Sequence, residues 1–221
     1  MCRFLLMKAK EKIDVGPLLK GFAGMARMSR SPDGDRQGDG WGMSRLSDAG
    51  DWSHHKSLKP VWEDPAAAAR IPRTRALVLH ARSSSFVRDR GTIGFNQPYG
   101  EHGFVFVFNG LLEGVRLPRR TEGEIGAQKI WSLLKIFLRG SPPDEAMVRL
   151  AACLYRNARR VYALNLGLCD GRRIYFYTSF DHAPEYYQLH YAVCGRLSIV
   201  SSEPIEGYSF KPVRPGSVQI L

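Results

Sequence analysis

Two short apolar runs constrain this chain more than anything else in it: "ALVLHA" at residues 76–81 and "FVFVFN" at residues 104–109. Each is strand-sized, rich in β-branched and aromatic residues, and apolar at nearly every position instead of every second one. Such strands need cover on both faces, which a sheet with one wet face does not give. Further strand-like segments surround them: "MCRFLL", "WGMSRL", "WSHHKSLKPV", "VYALNLGLCDG", "RIYFYTS", "YYQLHYAV", "RLSIVSSE" and "SVQIL". Helical spacing occurs in three places. "PLLKGFAGMARM" aligns Leu18, Phe22 and Met25; "EGEIGAQKIWSLLKIFL" aligns Ile125, Ile130, Leu133 and Leu134; "PDEAMVRLAACLYRNA" aligns Met147, Leu150, Ala151 and Leu154. The last two are expected to start near an acidic residue, which suits the positive end of a helix.

The order of strand, helix, many strands, two consecutive helices and strands again fits neither a doubly wound βαβ series nor a sandwich without helices. It predicts an α+β fold in which two sheets pack face to face with helices on their outer faces, as a single domain over residues 1–221. Between the first helix and "WGMSRL", the stretch "SRSPDGDRQGDG" is dominated by Gly, Pro, Ser and Asp and is expected to be an exposed, mobile loop of the kind that borders sites.

No run approaches 18 apolar residues, so no membrane span is predicted. The first residues lack the small-residue cleavage region of a secretory signal, and a cytoplasmic location is expected. Cys2, Cys153, Cys169 and Cys194 lie far apart and form no CxxC pair, so the sequence suggests no zinc site, disulfide framework or cofactor; Cys153 is expected in the core. Lys and Arg outnumber Asp and Glu by 32 to 21, with arginines clustered in "RIPRTR", "RLPRR" and "RNARR". That charge keeps a nucleic-acid or acidic partner in view. The aromatics, however, sit inside apolar runs and are not interleaved with the basic clusters as a stacking platform requires, which favours a solvated surface.

The chemistry-bearing candidate is Cys2. If Met1 is removed, one residue carries both a thiol, with an ordinary pKa of about 8.5, and an α-amine of about 7.7–8.0 that can accept the thiol proton. That is a nucleophile with its own base. The competing reading is a small apolar residue entering the first strand. Acyl transfer also needs oxyanion donors, and Asn109 with Gly110 offers a side-chain amide beside an accessible backbone N–H; the same dipeptide is a common hairpin turn. Arg82, just past an apolar strand, has the planar fork that binds a carboxylate bidentately. His80, two residues earlier, suits a structural hydrogen bond better than acid–base work, because an amine base is already available. Glu122 in "RRTEGE" offers a carboxylate for a substrate ammonium, or alternatively an acid at a helix start capped by Thr121.

Taken in order and spacing, these residues resemble the class II glutamine amidotransferases of the N-terminal nucleophile hydrolase superfamily, the short stand-alone members in particular. "MCRFL" resembles the family's opening Met-Cys, "GDGWG" at 38–42 its Gly-rich strand start, and "HARSSS" at 80–85 its His-Thr-Arg-x-Ala-Thr segment. "FNG" at 108–110 resembles His-Asn-Gly, "TEGE" at 121–124 resembles Ser-Asp-Thr-Glu, and "SSEPI" and "VRPGSVQIL" resemble the late strand pair. The resemblance covers nearly the whole chain. It implies a four-layer αββα sandwich of two mainly antiparallel sheets, with Met1 removed. It implies Cys2 as nucleophile and base, Asn109 with the Gly110 N–H as oxyanion hole, and Arg82, Ser85 and Glu122 around glutamine, with residues 82–91 as a loop that closes over it. Ser84 and Ser85 replace Ala and Thr, Phe86 and Phe108 replace His, and Glu122 replaces Asp. The implied activity is hydrolysis of the glutamine side-chain amide, or of another γ-glutamyl amide, with the released ammonia passing to a separate synthase subunit or the released amine leaving. The contrasting class is a catalytically altered relative that binds nucleic acid or protein through its basic surface.

Overall fold

The computed structural model describes residues 1–28, 30–31, 34–66 and 71–221. One sheet is built from β1 (Arg3–Ile13), β2 (Trp41–Leu46), β3 (Trp52–Ser57), β4 (Thr74–Ala81), β9 (His190–Cys194), β10 (Leu197–Ser201) and β11 (Lys211–Pro212), in the order β11-β9-β10-β1-β4-β2-β3. The other holds β5 (Tyr99–Glu101), β6 (Phe104–Glu113), β7 (Arg160–Cys169), β8 (Ile174–Phe180) and β12 (Gln219–Ile220), in the order β12-β8-β7-β6-β5. Every pairing is antiparallel. The α-helices with both ends among the described residues are α1 (Gly16–Arg27), α2 (Gly126–Leu138), α3 (Pro143–Asn157) and the one-turn α4 (Pro184–Tyr187).

Side-chain alternation sorts the core into layers. Leu5, Met7, Leu77 and Leu79 face α1, where Leu18, Leu19, Phe22 and Met25 are buried. Phe4, Leu6, Ala76 and Val78 face Val105, Val107, Ile174 and Phe176 of the second sheet. On that sheet's far side Phe106, Leu164, Leu166 and Leu168 pack against α2 and α3 through Leu133, Leu134, Leu150 and Leu154. The predicted sandwich with outer helices is therefore the observed one, and the two runs "ALVLHA" and "FVFVFN" are covered on both faces. At about 1.5–3 kcal/mol for each fully buried Leu, Phe or Val, these layers are the principal stabilising contribution.

The same alternation positions the site. Cys2 precedes Phe4 and Leu6 on the inter-sheet face of β1, His80 follows Ala76 and Val78 on β4, and Asn109 follows Val105 and Val107 on β6. Three chemistry-bearing residues thus sit at one end of the inter-sheet layer, where the hydrophobic filling stops.

Several local expectations change. α2 begins at Gly126, with no acidic residue in its first turn, so Thr121 and Glu122 lie outside it; the Gln128 side chain instead accepts from the backbone N–H of Glu124 at 2.8 Å and of Ile125 at 3.3 Å. α3 does carry Asp144 and Glu145 in its first turn. Tyr186 and Tyr187 are helical, not the start of a strand, because Pro184 opens a helical turn there. Asn109-Gly110 is not a hairpin turn: the pair lies inside β6, opposite Asn165 and Leu164, and the strand runs on to Glu113. Residues 29, 32 and 33 of the loop after α1 lie outside the described residues, while Gln37 in that loop is fully buried. No helix among the described residues is long and apolar enough to cross a membrane.

Candidate active site

The N-terminus is held by a buried ion pair. Arg3 is fully buried, its Nε donates to Glu203 Oε1 at 2.9 Å, its guanidinium lies 4.0 Å from the centre of the Tyr186 ring, and its Nη1 donates to the Cys2 carbonyl at 3.2 Å. The Met1 ammonium pairs with Asp35. Burial draws that ammonium's pKa down, but Tyr186, Asp35 and Cys2 outweigh it and the net shift is upward. Asp35 also accepts from Ser83 Oγ at 2.6 Å, and the Ser83 carbonyl accepts from Cys2 Sγ at 3.5 Å. Cys2 is partly accessible as a residue, yet burial of its thiol pushes the pKa up, against the opposing pull of the N-terminal ammonium and Arg82.

The loops at residues 34–40 and 82–91 are stitched together beside this thiol. Asp39 N donates to the Arg82 carbonyl at 3.0 Å, Arg82 N donates to the Gly40 carbonyl at 2.8 Å, Ser84 N donates to Asp39 Oδ2 at 2.8 Å, and Arg90 pairs with Asp39 at 3.3 Å. The Gly-rich segment thus borders the site as expected, and it is fixed there by hydrogen bonds. The Arg82 side chain is 5% exposed; Nη2 donates to Ser84 Oγ at 3.1 Å and to the Asp89 carbonyl at 2.8 Å, whereas buried Nη1 has no partner. A buried guanidinium N–H without an acceptor is costly and marks a place for an anionic oxygen.

Asn109 gives the clearest contrast. Its cross-strand neighbour Asn165 has both amide atoms paired, Nδ2 donating to the Tyr187 carbonyl at 2.8 Å and Oδ1 accepting from Thr178 Oγ1 at 2.6 Å. Asn109 is just as buried and neither of its amide atoms has a partner. Gly110 follows it on the cleft wall, where a Cβ would lie 2.5 Å from the Ala163 carbonyl and 2.6 Å from the Phe108 ring, so no larger residue fits without moving backbone.

Cys2, His80, Arg82, Ser85, Asn109 and Gly110 all line one cleft of about 680 Å³. Glu122 does not. Its carboxylate is 84% exposed, lies 3.4 Å from Lys135 and borders a neighbouring depression of about 420 Å³, while Glu124, two residues on, lines the cleft. His80 lies against the Phe108 backbone, although neither ring nitrogen makes a hydrogen bond of ordinary geometry. Burial first, and then Arg82, lower its pKa to about 3 against an opposing pull from the Phe108 backbone, so it is neutral near pH 7.

Sequence reasoning missed Gln97. Its Nε2 donates to the Phe108 carbonyl at 2.9 Å and its Oε1 accepts from Phe108 N at 2.6 Å, replacing a strand partner for the residue before Asn109. No sequence pattern pointed to it, although the structure packs Gly42 against its backbone, where a Cβ would lie 2.2 Å from the Gln97 carbonyl. Asp35 was likewise visible only as a loop residue.

Solved structures share this fold. The chain matches a glutamine aminotransferase class-II domain protein from Silicibacter pomeroyi at 16% identity and a TM-score of 0.66, covering 99% of this chain and 94% of that one. It matches glutamine phosphoribosylpyrophosphate amidotransferase from B. subtilis at 13% identity and a TM-score of 0.69, over 99% of this chain and 47% of that one. A structure described as the allosteric regulatory enzyme of purine biosynthesis matches at 12% identity and a TM-score of 0.70, over 100% and 46%. The chain spans about half the length of the latter two. No family model and no curated protein matches it. The resemblance read from the motifs thus holds for the fold, a two-sheet sandwich with outer helices that this chain shares with these glutamine amidotransferase structures.

Proposed function

We propose that this protein hydrolyses the side-chain amide of glutamine, or of a related γ-glutamyl amide, with Cys2 as an N-terminal nucleophile after removal of Met1. The observation that carries the proposal is the set of buried, unpaired polar groups around Cys2: Arg82 Nη1 wants an anionic oxygen and Asn109 Nδ2 wants an acceptor, in the same cleft. Glutamine offers an α-carboxylate to the first and an amide oxygen to the second.

In the reaction, the Cys2 thiol passes its proton to the freed α-amine and Sγ attacks the amide carbon. The C=O electrons move to oxygen, held by Asn109 Nδ2 and the Gly110 N–H. As they return, the C–N bond breaks and the nitrogen leaves with the proton from the Cys2 ammonium, giving a γ-glutamyl thioester. Water then loses a proton to the amine and attacks the thioester; the C–S bond breaks, the thiol is re-formed and glutamate departs. Arg82 anchors the α-carboxylate, Ser85 contributes a hydroxyl from the loop that bounds the cleft, and the "TEGE" segment supplies the acid for the α-ammonium. Glu124 already stands on the cleft wall; Glu122 serves only if its segment turns inward. The ammonia acceptor would be a separate synthase.

The proposal is tested by substituting the nucleophile. Cys2→Ala should abolish release of glutamate and ammonia from glutamine while leaving the circular-dichroism spectrum and the melting temperature near those of the parent. A Cys2→Ala protein that still turns over glutamine would remove Cys2 from the mechanism.

A further inference from the structure

The cleft is far larger than glutamine needs. Its roughly 680 Å³ lies in the range that holds drug-sized ligands, whereas an amino acid has only roughly ten non-hydrogen atoms. Its walls are also divided by chemistry. Cys2, His80, Arg82, Ser83 and Asn109 supply polar groups, while Leu111, Leu112, Val115, Leu117, Ile125 and Ile130 supply an aliphatic set, with Glu124 and Lys129 the charged residues next to Ile125 and Ile130 in sequence.

This apolar wall is not closed by the protein itself. Leu112, Leu117 and Ile125 have their inner sides against the α2–α3 core, but Leu111 is 41% and Val115 38% exposed, and Phe86, which also lines the cleft, is 59% exposed. Large apolar side chains held open within a concave site indicate a ligand with apolar surface.

The wall begins where the reaction proposed above would release its product. Asn109 and Leu111 are two residues apart on β6, before the irregularity between Leu111 and Leu112, and so share one face about 7 Å apart. A substrate whose carbonyl oxygen sits at Asn109, whose α-carboxylate is held by Arg82 and whose α-ammonium meets Glu124 has its amide nitrogen as the end still without a partner. The substituent on that nitrogen is the group left to meet the apolar wall.

We propose that the preferred substrates are γ-glutamyl amides of apolar primary amines, and that Leu111, Val115 and the neighbouring aliphatic side chains form the subsite for the departing amine. The chemistry is unchanged: the C–N bond that breaks releases an alkylamine instead of ammonia. Binding such a group desolvates it and the exposed apolar side chains together.

This inference rests on the amidohydrolase reading, and its test separates the two. Purified full-length protein is assayed with L-glutamine, γ-glutamyl-methylamide and γ-glutamyl-butylamide. The two alkylamines have similar basicity, so their difference reports the subsite and not leaving-group strength. Burial of a methylene is worth roughly a fourfold gain in transition-state affinity, so the butylamide should exceed the methylamide in kcat/KM by at least about tenfold. Val115→Asp, at the accessible rim, should reduce that ratio toward one. Glutamine turnover with equal or lower kcat/KM for the butylamide would overturn the subsite while leaving the amidohydrolase intact. No turnover of any of the three, with Cys2 unreactive toward an electrophilic glutamine analogue, would overturn both.

Discussion

Gln97 grips Phe108 by both ends of its side-chain amide, donating to the carbonyl at 2.9 Å and accepting from the N–H at 2.6 Å. The residue so held immediately precedes Asn109 and Gly110, so the clamp fixes the strand segment that carries the two oxyanion donors of the proposed reaction.

Gln97→Ala should therefore act through geometry. Loss of both bonds leaves the Phe108 backbone groups unpaired and lets the segment drift by a fraction of an ångström, a scale to which positioned chemistry is sensitive. A fall in kcat of tenfold or more, with KM changed much less, is expected in steady-state glutaminase kinetics. An unchanged kcat would show that the clamp is structural only.

Arg82→Lys removes the fork. A lysine ammonium cannot hold the Ser84 hydroxyl and the Asp89 carbonyl while also presenting the second donor that Nη1 supplies. Hydrogen bonds to charged groups are worth about 1.5–3 kcal/mol, so KM for glutamine should rise roughly tenfold to a hundredfold with a smaller change in kcat. A KM within a factor of two of the parent would remove Arg82 from carboxylate binding.

His80 makes a prediction about acid. Its folded pKa is lowered from 6.5 to about 3, chiefly by burial and then by Arg82. A group that resists protonation only when folded contributes stability that is full above pH 6.5 and is lost as the pH falls toward 3, because the unfolded chain then binds the additional proton. At 1.36 kcal/mol per pH unit, the loss attributable to this residue is on the order of 4 kcal/mol at pH 3. Urea titrations at a series of pH values should give a shallower acid decline for His80→Gln than for the parent. Parallel declines would contradict the assigned shift.

The fold was legible where periodicity was strong. The runs around Leu79 and Phe106 demanded cover on both faces, and the stripes of Leu18, Leu133 and Leu150 supplied the helices that give it. Tyr186 and Tyr187 were misread because aromatic residues favour strands while Pro184 starts a helical turn. In the site, Cys2, Arg82 and Asn109 were legible because their side-chain chemistry is specific and strand alternation brings them to one end of the inter-sheet layer. Glu122 was placed from a motif alone, and the late start of α2 leaves its carboxylate beside Lys135. Gln97 and Asp35 were not legible, since each matters through one partner distant in sequence, Phe108 in one case and Ser83 with the N-terminus in the other.

In the proposed reaction Cys2 becomes a reactive N-terminus in this cleft. Intact-mass analysis of the full-length protein purified from cells, before and after incubation with an electrophilic glutamine analogue, tests it most directly. The expected result is a chain lacking one methionine residue that gains a single adduct, mapped to Cys2 and suppressed by excess glutamine. A chain that keeps Met1 and gains no adduct at Cys2 would contradict it.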